Sequence, residues 1–508
     1  MTGAESLLRT LVANGVDTCF MNPGTSEMHF VAALERVPGM RGILCLFEGV
    51  CSAAADGYAR VLGRPAATLL HLGPGLANGL ANFHNARKAR TPVVSIVGEH
   101  ATPHLAVDAP LTADIQAFAR AVSAEVRTAR SADDVGLAVA ETVAAAWGPP
   151  GQVAMVIIPA DHSWSETSVV GPTLTPKRRT MPSDAAMDRA RAALKKEGTA
   201  ILLGGTSVNP RAIDAAARTG ARVMTARNVA RFAWGRGYHP HPQVPYFPEG
   251  AMPFLADVKQ LILVESEKPV SFFAYPNIPS YMVPDTTEIV PLARRDEDGT
   301  AALLELAAGK PGVAVDEPEP FEAARDDSPL NLESLGRTVA ALLPEGTLIS
   351  DEMVSSGGKV LPMLQHAAPH ESMPICGGSI GQGMPLALGA AIAAPDRKLV
   401  TLEADGSGMY TLQALWTMAR HNVNVTTVVF ANRRYRILDI EMKRTGANAF
   451  SEIANQMIDI GNPALDWVKL SEAQGVPATR ANTAREFTEQ FAEAIRHKGP
   501  RVIEAVLI

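Results

Sequence analysis

Two consecutive apolar runs late in the 508-residue chain end in oxygen-bearing side chains. The first closes on Ala404-Asp405-Gly406-Ser407, and the second, the β-branched run Val425 to Phe430, leads to Asn432. A helical stretch, Met409 to Asn422, lies between them. A strand–helix–strand unit of this kind makes the strands parallel neighbours. Asp405 and Asn432 then sit together at their carboxyl ends, where open α/β sheets bind ligands. Carboxylate plus amide oxygen is a hard ligand set, suited to Mg²⁺ that shares its shell with a diphosphate. Ser407 adds a hydroxyl, the helix starting near Met409 points its positive end at the same place, and the backbone carbonyl of Arg434 completes the protein's share of an octahedral shell. Each of these residues taken alone is also ordinary turn chemistry.

The rest of the chain fits such a unit. Alternating strand and helix patterns fall into three blocks, 1–168, 184–313 and 330–508, joined by Pro-rich linkers at 165–183 and 314–330. That alternation predicts three α/β domains with doubly wound parallel sheets covered on both faces, and a chain this long needs about three cores. Hydrophobic content of 47% with 19% charge is that of a globular protein. The net charge of −7 is spread without basic clusters, which argues against nucleic acid and anionic membranes as partners. Four cysteines without CxxC spacing read as buried free thiols in a reducing compartment. No apolar stretch approaches the roughly 18 residues that span a bilayer, and the N-terminus lacks a signal-peptide pattern, so a cytoplasmic enzyme or binding protein is expected. The middle block carries Gly204-Gly205 but no GxGxxG, so FAD is not supported.

Three segments occur together and in order: Gly377-Gly378-Ser379-Ile380-Gly381-Gln382-Gly383-Met384-Pro385, then Ala404-Asp-Gly-Ser, then Ala431-Asn432-Arg-Arg-Tyr435. This pattern resembles the cofactor-binding domain of thiamine-diphosphate-dependent enzymes, with benzoylformate decarboxylase and acetohydroxyacid-synthase-like (acetolactate synthase large subunit-like) proteins nearest to it. The resemblance implies pyrimidine-binding, central Rossmann-like and diphosphate-binding domains. It also implies a homodimer or homotetramer with active sites at the subunit interface. By the same resemblance Asp405, Asn432 and the Arg434 carbonyl bind Mg²⁺, while Ser355, Gly406, Ser407 and Tyr435 attend the diphosphate end of the cofactor. Ile380 wedges beneath the cofactor to bend it, and the Gly378 carbonyl accepts from the aminopyrimidine.

Glu48 follows the apolar run Ile43 to Phe47, where a buried carboxylate is costly unless something bonds it. In the resembling family this glutamate drives the pyrimidine into its imino form, which leads to the ylide. The turn Asn22-Pro23-Gly24 is placed against the cofactor, Thr25 supplies a hydroxyl to the substrate carboxylate, and His71 moves protons. An unperturbed imidazole titrates near pH ~6.5, which suits that role. Read without the family, Glu48 is a glutamate favoured by a helix dipole, Thr25 a helix cap, and Ile380 a core residue.

Two departures bear on the substrate. No histidine occurs between His241 and His366 to supply the aryl decarboxylase's second histidine; the matching stretch reads Ser271-Phe-Phe-Ala-Tyr275. The helix after Asn432 carries Asp439, Glu441 and Lys443 where the aryl enzyme's pocket is apolar, with Leu438 left to face the substrate. These features favour a smaller or more polar 2-oxo acid. The expected activity is 2-oxo acid decarboxylation through a cofactor-bound enamine, with an acetolactate-synthase-like carboligase and a catalytically silent cofactor-binding paralogue as alternatives.

Overall fold

The computed structural model describes residues 1–315, 317–446 and 451–508, and residue 316 of the second linker lies outside it. Seventeen strands form three sheets among the described residues. The first holds β1 (Thr18–Asn22), β2 (Arg41–Leu44), β3 (Ala66–Leu70), β4 (Val93–Glu99), β5 (Glu125–Thr128) and β6 (Val153–Pro159), all parallel, in the order β2-β1-β3-β4-β6-β5. The middle sheet contains β7 (Thr199–Leu203), β8 (Arg222–Thr225), β10 (Gln260–Val264) and β11 (Glu288–Ala293), in the order β11-β10-β7-β8. The third contains β12 (Leu348–Glu352), β13 (His370–Pro374), β14 (Leu399–Ala404), β15 (Val425–Ala431), β16 (Ala478–Ala481) and β17 (Arg501–Val506). A short strand from the middle block, β9 (Phe232–Trp234), joins its edge antiparallel to β13, which gives the order β16-β17-β15-β14-β12-β13-β9. Runs such as Val153–Pro159 and Val425–Ala431 are buried along their whole length, as strands covered by helices on both faces must be.

The outer sheets share one core through the helices Glu48–Leu62 and Gly383–Ala393. These two cross with their backbones in contact, because small residues line both. A Cβ on Gly57 would sit 2.0 Å from the Leu386 carbonyl oxygen, and one on Gly389 would sit 1.8 Å from that of Ala54. Each helix begins at a candidate site segment, Glu48 for one and the Gly377–Gly383 loop for the other, so the crossing fixes both.

One expectation is corrected. The helix expected over Met409 to Asn422 is instead a four-residue turn of helix, Asp405–Gly408, followed by a helix over Ala414–His421. Gly406 and Gly408 favour a short turn, and Thr411 leaves the helical path to donate from Oγ1 to the Gly381 carbonyl at 2.9 Å. The positive end facing the Asp405 loop is therefore that of the short turn. In the middle block, the crevice beside Gly204-Gly205 is filled by Glu265, whose carboxylate accepts from Thr206, Ser207 and Arg179. A Cβ on Gly205 would meet Glu265 Oε2 at 2.5 Å. Among the described residues no helix is long and apolar enough to cross a membrane.

Candidate active site

Asn22 ends β1, His71 follows β3 and Glu48 opens the next helix, so the first sheet gathers all three at its carboxyl edge. Glu48 is 7% exposed, and both its oxygens are bonded: Oε1 accepts from Asn22 Nδ2 at 3.1 Å and Oε2 from Asn78 Nδ2 at 3.0 Å. Two amide donors and a helix N-terminus hold the buried carboxylate in one orientation. His71 Nδ1 lies 2.8 Å from Glu27 Oε2, and the Gly24 N–H donates to the same oxygen at 2.8 Å. With Glu27 ionised, His71 carries its proton on Nδ1 and keeps Nε2 available. Burial raises the Glu27 carboxyl above its ordinary range, and its Oε1 has no partner among the described residues. Gly24 is required here, since a Cβ would stand 2.3 Å from the His71 ring. Pro23 precedes it, and Thr25 opens a 3₁₀ turn, Thr25–Glu27, with its side chain exposed. Glu27, not Thr25, caps that turn.

The third sheet assembles a second cluster. Strands β14 and β15 are adjacent and parallel, with Ala404 opposite Phe430, so Asp405 and Asn432 stand at neighbouring carboxyl ends. Asp405 is 3% exposed; Oδ1 accepts the Gly406 N–H at 2.9 Å and Oδ2 the Arg433 N–H at 2.6 Å. Even so, burial pushes its carboxyl up to about 6. Asn432 Oδ1 accepts the Arg434 N–H at 2.9 Å, and the Arg434 carbonyl accepts from Arg436 at 2.8 Å. Ser407 is buried beside Asp405, and Tyr435 packs so tightly on Gly406 that a Cβ there would be 2.5 Å from the ring. Ser355 is half-buried in the 3₁₀ turn Val354–Ser356. Gly378 adopts φ +77° and is exposed, and Ile380 is half-buried, so it is not a core residue. Leu438 is 44% exposed on the helix Arg436–Arg444, none of whose residues is buried.

Several contributors carried no assigned role in the sequence reading. Glu352 accepts from the backbone N–H groups of Gly381 (2.6 Å), Gln382 (2.8 Å) and Gly383, pinning the loop that presents Ile380. Gln382 Nε2 donates to Asp56 at 2.6 Å, and Asp56 forms a fully buried pair with Arg60. Asn82 bridges the carbonyls of Gly49 and Gly381, and Phe272 from the middle block lies against Gly378. Glu27 and Asn78 belong to the same group. Their only signal in the sequence was membership of the segments that hold Thr25 and the Gly-rich turn after His71.

Among the described residues, no hydrogen bond or ion pair joins the side chains around Glu48 and His71 to those around Asp405 and Asn432. The Asp405 loop fits a divalent cation on its own chemistry. A carboxylate buried at a strand end and displaced upward to about 6 gains most from a bound cation, and an amide oxygen lies on the adjacent strand end. The buried Ser407 hydroxyl and the N–H groups of the turn Asp405–Gly408 fit an anion beside it. The arrangement has the chemistry to hold a divalent cation and an anion side by side at the ends of two parallel strands.

The comparisons identify the class more narrowly. Residues 1–120 match the "Thiamine pyrophosphate enzyme, N-terminal TPP binding domain" and residues 361–505 the "Thiamine pyrophosphate enzyme, C-terminal TPP binding domain". The chain is 45% identical over 515 residues to the "Putative acetolactate synthase large subunit IlvX" of Mycobacterium tuberculosis, spanning 100% of this chain and 99% of that protein. It is 26% identical over 523 residues to a benzoylformate decarboxylase of Pseudomonas aeruginosa, covering 97% and 96% of the two chains. In fold it matches a thiamine diphosphate-dependent 4-hydroxybenzoylformate decarboxylase of Rhodococcus jostii, with a TM-score of 0.86, 23% identity, and 100% and 99% coverage. The chain belongs to the thiamine pyrophosphate enzyme family, whose decarboxylase and acetolactate-synthase-like members it resembles.

Proposed function

We propose that the protein uses thiamine diphosphate and Mg²⁺ to decarboxylate a 2-oxo acid. The observation that carries this reading is Glu48, a buried carboxylate held on both oxygens by Asn22 and Asn78, in a chain that also keeps Asp405 and Asn432 at adjoining strand ends. Asp405, Asn432 and the Arg434 carbonyl hold the metal. Ser355, Gly406 and Ser407 receive the diphosphate, and Asn22, Pro23, Gly24, Gly378, Ile380 and Tyr435 shape the cofactor's place. Thiamine diphosphate, when bound, supplies a carbon nucleophile and an electron sink for the pair released as CO₂ leaves. Glu48 exchanges a proton with the aminopyrimidine. Thr25 donates its hydroxyl to the substrate carboxylate. His71, oriented by Glu27 through Nδ1, gives and takes protons at Nε2. Leu438 lines the outer side of the pocket.

The Glu48 cluster and the Asp405 cluster lie in different blocks, with no side-chain bond between them among the described residues. This supports a homodimer, or a tetramer of two such pairs, in which each site takes one cluster from each copy. Carboligation of the acetolactate-synthase type is the second reading, supported by the 45% relative and by the charged helix Arg436–Arg444. A silent cofactor-binding paralogue is the third; the bonded Glu48 speaks against it, because a protein that only stores cofactor has no use for that carboxylate. The test is CO₂ release from a panel of 2-oxo acids with thiamine diphosphate and Mg²⁺, wild type beside Glu48→Gln, with each product identified. Glu48-dependent release with an aldehyde product supports decarboxylation, and an acetohydroxy acid supports carboligation. Cofactor binding without release from any acid would refute both.

A further inference from the structure

The middle block brings a row of aromatic rings over the Gly377–Gly383 loop. Phe272 lies so close to Gly378 that a Cβ there would stand 2.6 Å from its ring. Phe272 packs on Tyr246, with centroids 5.0 Å apart and planes 37° from parallel. The Arg227 guanidinium carbon stands 5.4 Å from the Tyr246 centroid. The row therefore runs from the cofactor loop through two rings to a cation.

A second arginine lies on neighbouring rings, Arg444, 4.4 Å from both Phe247 and Tyr275. Its charge is already answered: it pairs with Glu249 at 2.5 Å and lies 3.7 Å from Glu441, which also accepts from the Tyr275 hydroxyl at 2.9 Å. Arg227 is different. It donates to the Val244 carbonyl at 3.3 Å, keeps accessible surface although burial pulls its guanidinium below the ordinary value, and has no carboxylate within ion-pairing distance among the described residues. Asp351, at the carboxyl end of β12, acts on it only from further away. Asp351 accepts the Met353 N–H, and its carboxyl, which burial raises to about 6, forms no ion pair with Arg227 among the described residues. A guanidinium stays charged at any working pH, and its planar fork suits bidentate capture of a carboxylate.

We propose that Arg227 is a specificity-determining residue, and that the substrate is a 2-oxo acid bearing a second carboxylate at its far end. Its chain lies along Phe272 and Tyr246, its 2-oxo group over the Gly377–Gly383 loop, and its distal carboxylate on Arg227. This inference rests on the decarboxylase reading for the reacting end, but the distal contact is tested separately. It also accounts for the second histidine's absence: where the aryl enzymes are expected to bring a histidine, this chain brings Phe272 and Tyr275, and the nearby charge is a fixed cation.

The experiment is calorimetric titration of Glu48→Gln protein, loaded with thiamine diphosphate and Mg²⁺, with two matched pairs of acids. The pairs are 2-oxoglutarate with 2-oxopentanoate, and 2-oxoadipate with 2-oxohexanoate. At least one dicarboxylate is expected to bind about 10- to 100-fold more tightly than its partner, the range for a hydrogen bond between charged groups. Arg227→Gln should remove that difference and Arg227→Lys retain part of it. Equal affinity within both pairs, or a preference that survives Arg227→Gln, overturns the proposal. Wild-type CO₂ release separates the two readings. Turnover of monocarboxylates that is untouched by Arg227→Gln keeps the decarboxylase and discards Arg227. Arg227-dependent binding of a dicarboxylate with no CO₂ from any acid keeps Arg227 and discards the decarboxylase.

Discussion

Gly57→Ala tests the crossing that fixes both halves of the site. Gly57 is helical, so alanine meets no conformational penalty, and in an exposed helix the change would stabilise by about 0.8–1 kcal/mol. Here the new Cβ would lie 2.0 Å from the Leu386 carbonyl oxygen, 2.8 Å from its carbon and 3.0 Å from its Cα. All three are backbone atoms in a helix, with no rotamer to yield. Ordinary contact begins near 3.4 Å, so the helices must part by about 1.4 Å. Overpacking of this kind costs about 1–3 kcal/mol, and rigid backbone on the opposing side places it at the upper end. The net loss is about 2 kcal/mol, or a fall in apparent Tm of about 4–8 °C at the usual conversion for large domains. Differential scanning fluorimetry at fixed protein concentration measures it, with Gly389→Ala (1.8 Å from the Ala54 oxygen) expected to match. Gly358→Ala is the control: a Cβ there meets nothing within 4 Å, so its Tm should hold or rise. If Gly57→Ala and Gly358→Ala gave the same Tm, the close crossing would be wrong, and with it the account of how Glu48 and the Ile380 loop are positioned.

Glu27→Gln keeps an acceptor for the Gly24 N–H and for His71 but removes the buried charge facing the ring. It should lower kcat by about 10- to 100-fold, a share of the roughly 10²–10⁴ that general acid–base catalysis supplies, with cofactor affinity within about twofold by fluorescence titration; an unchanged kcat would make the pair structural only. Asp405→Asn, or chelation of wild-type protein with EDTA, should weaken thiamine diphosphate binding by at least about tenfold in the same titration, and undiminished binding would remove Asp405 from the metal site. Burial lowers the His370 imidazole from 6.5 to about 4, with Nδ1 bonded to the Ala368 carbonyl and Nε2 unpartnered among the described residues. A depressed folded-state pKa gives stability that is fully present above pH 6.5 and lost as pH falls toward 4, about 3 kcal/mol in all; His370→Gln should flatten the Tm-versus-pH curve over that window, and an unchanged curve would contradict it.

The parts legible in the sequence were those that local pattern controls. The largely apolar runs Ala66–Leu70, Thr199–Leu203 and Gln260–Val264 became strands with those same bounds. The strands Glu125–Thr128, His370–Pro374 and Ala478–Ala481, at a sheet edge or one strand in from it, gave no such signal, because charged, polar and proline residues interrupt them. They form because a neighbouring strand offers hydrogen bonds, a tertiary effect no window of sequence records. The same limit hid Glu27 and Glu352. Glu27 matters through a ring 44 residues away, and Glu352 through amides about 30 residues downstream.

Backbone strain marks the site where sequence pattern is weakest. Eight non-glycine residues among those described have positive φ, and three of them adjoin candidate site residues. Leu72 (φ 48°) follows His71, Val354 (φ 49°) precedes Ser355, and Arg433 (φ 57°) follows Asn432 and turns its N–H onto Asp405. A leucine and a β-branched valine disfavour this conformation, at about 1–3 kcal/mol each, so local preference opposes the observed backbone at three separate strand ends. Only the surrounding packing can impose it. Had stability alone shaped these turns, glycine would serve all three. Side chains held in strained turns beside an imidazole, a hydroxyl and a candidate metal ligand are what a fold shows when it aims functional groups at a ligand, and the three turns belong to both clusters that the proposed function joins.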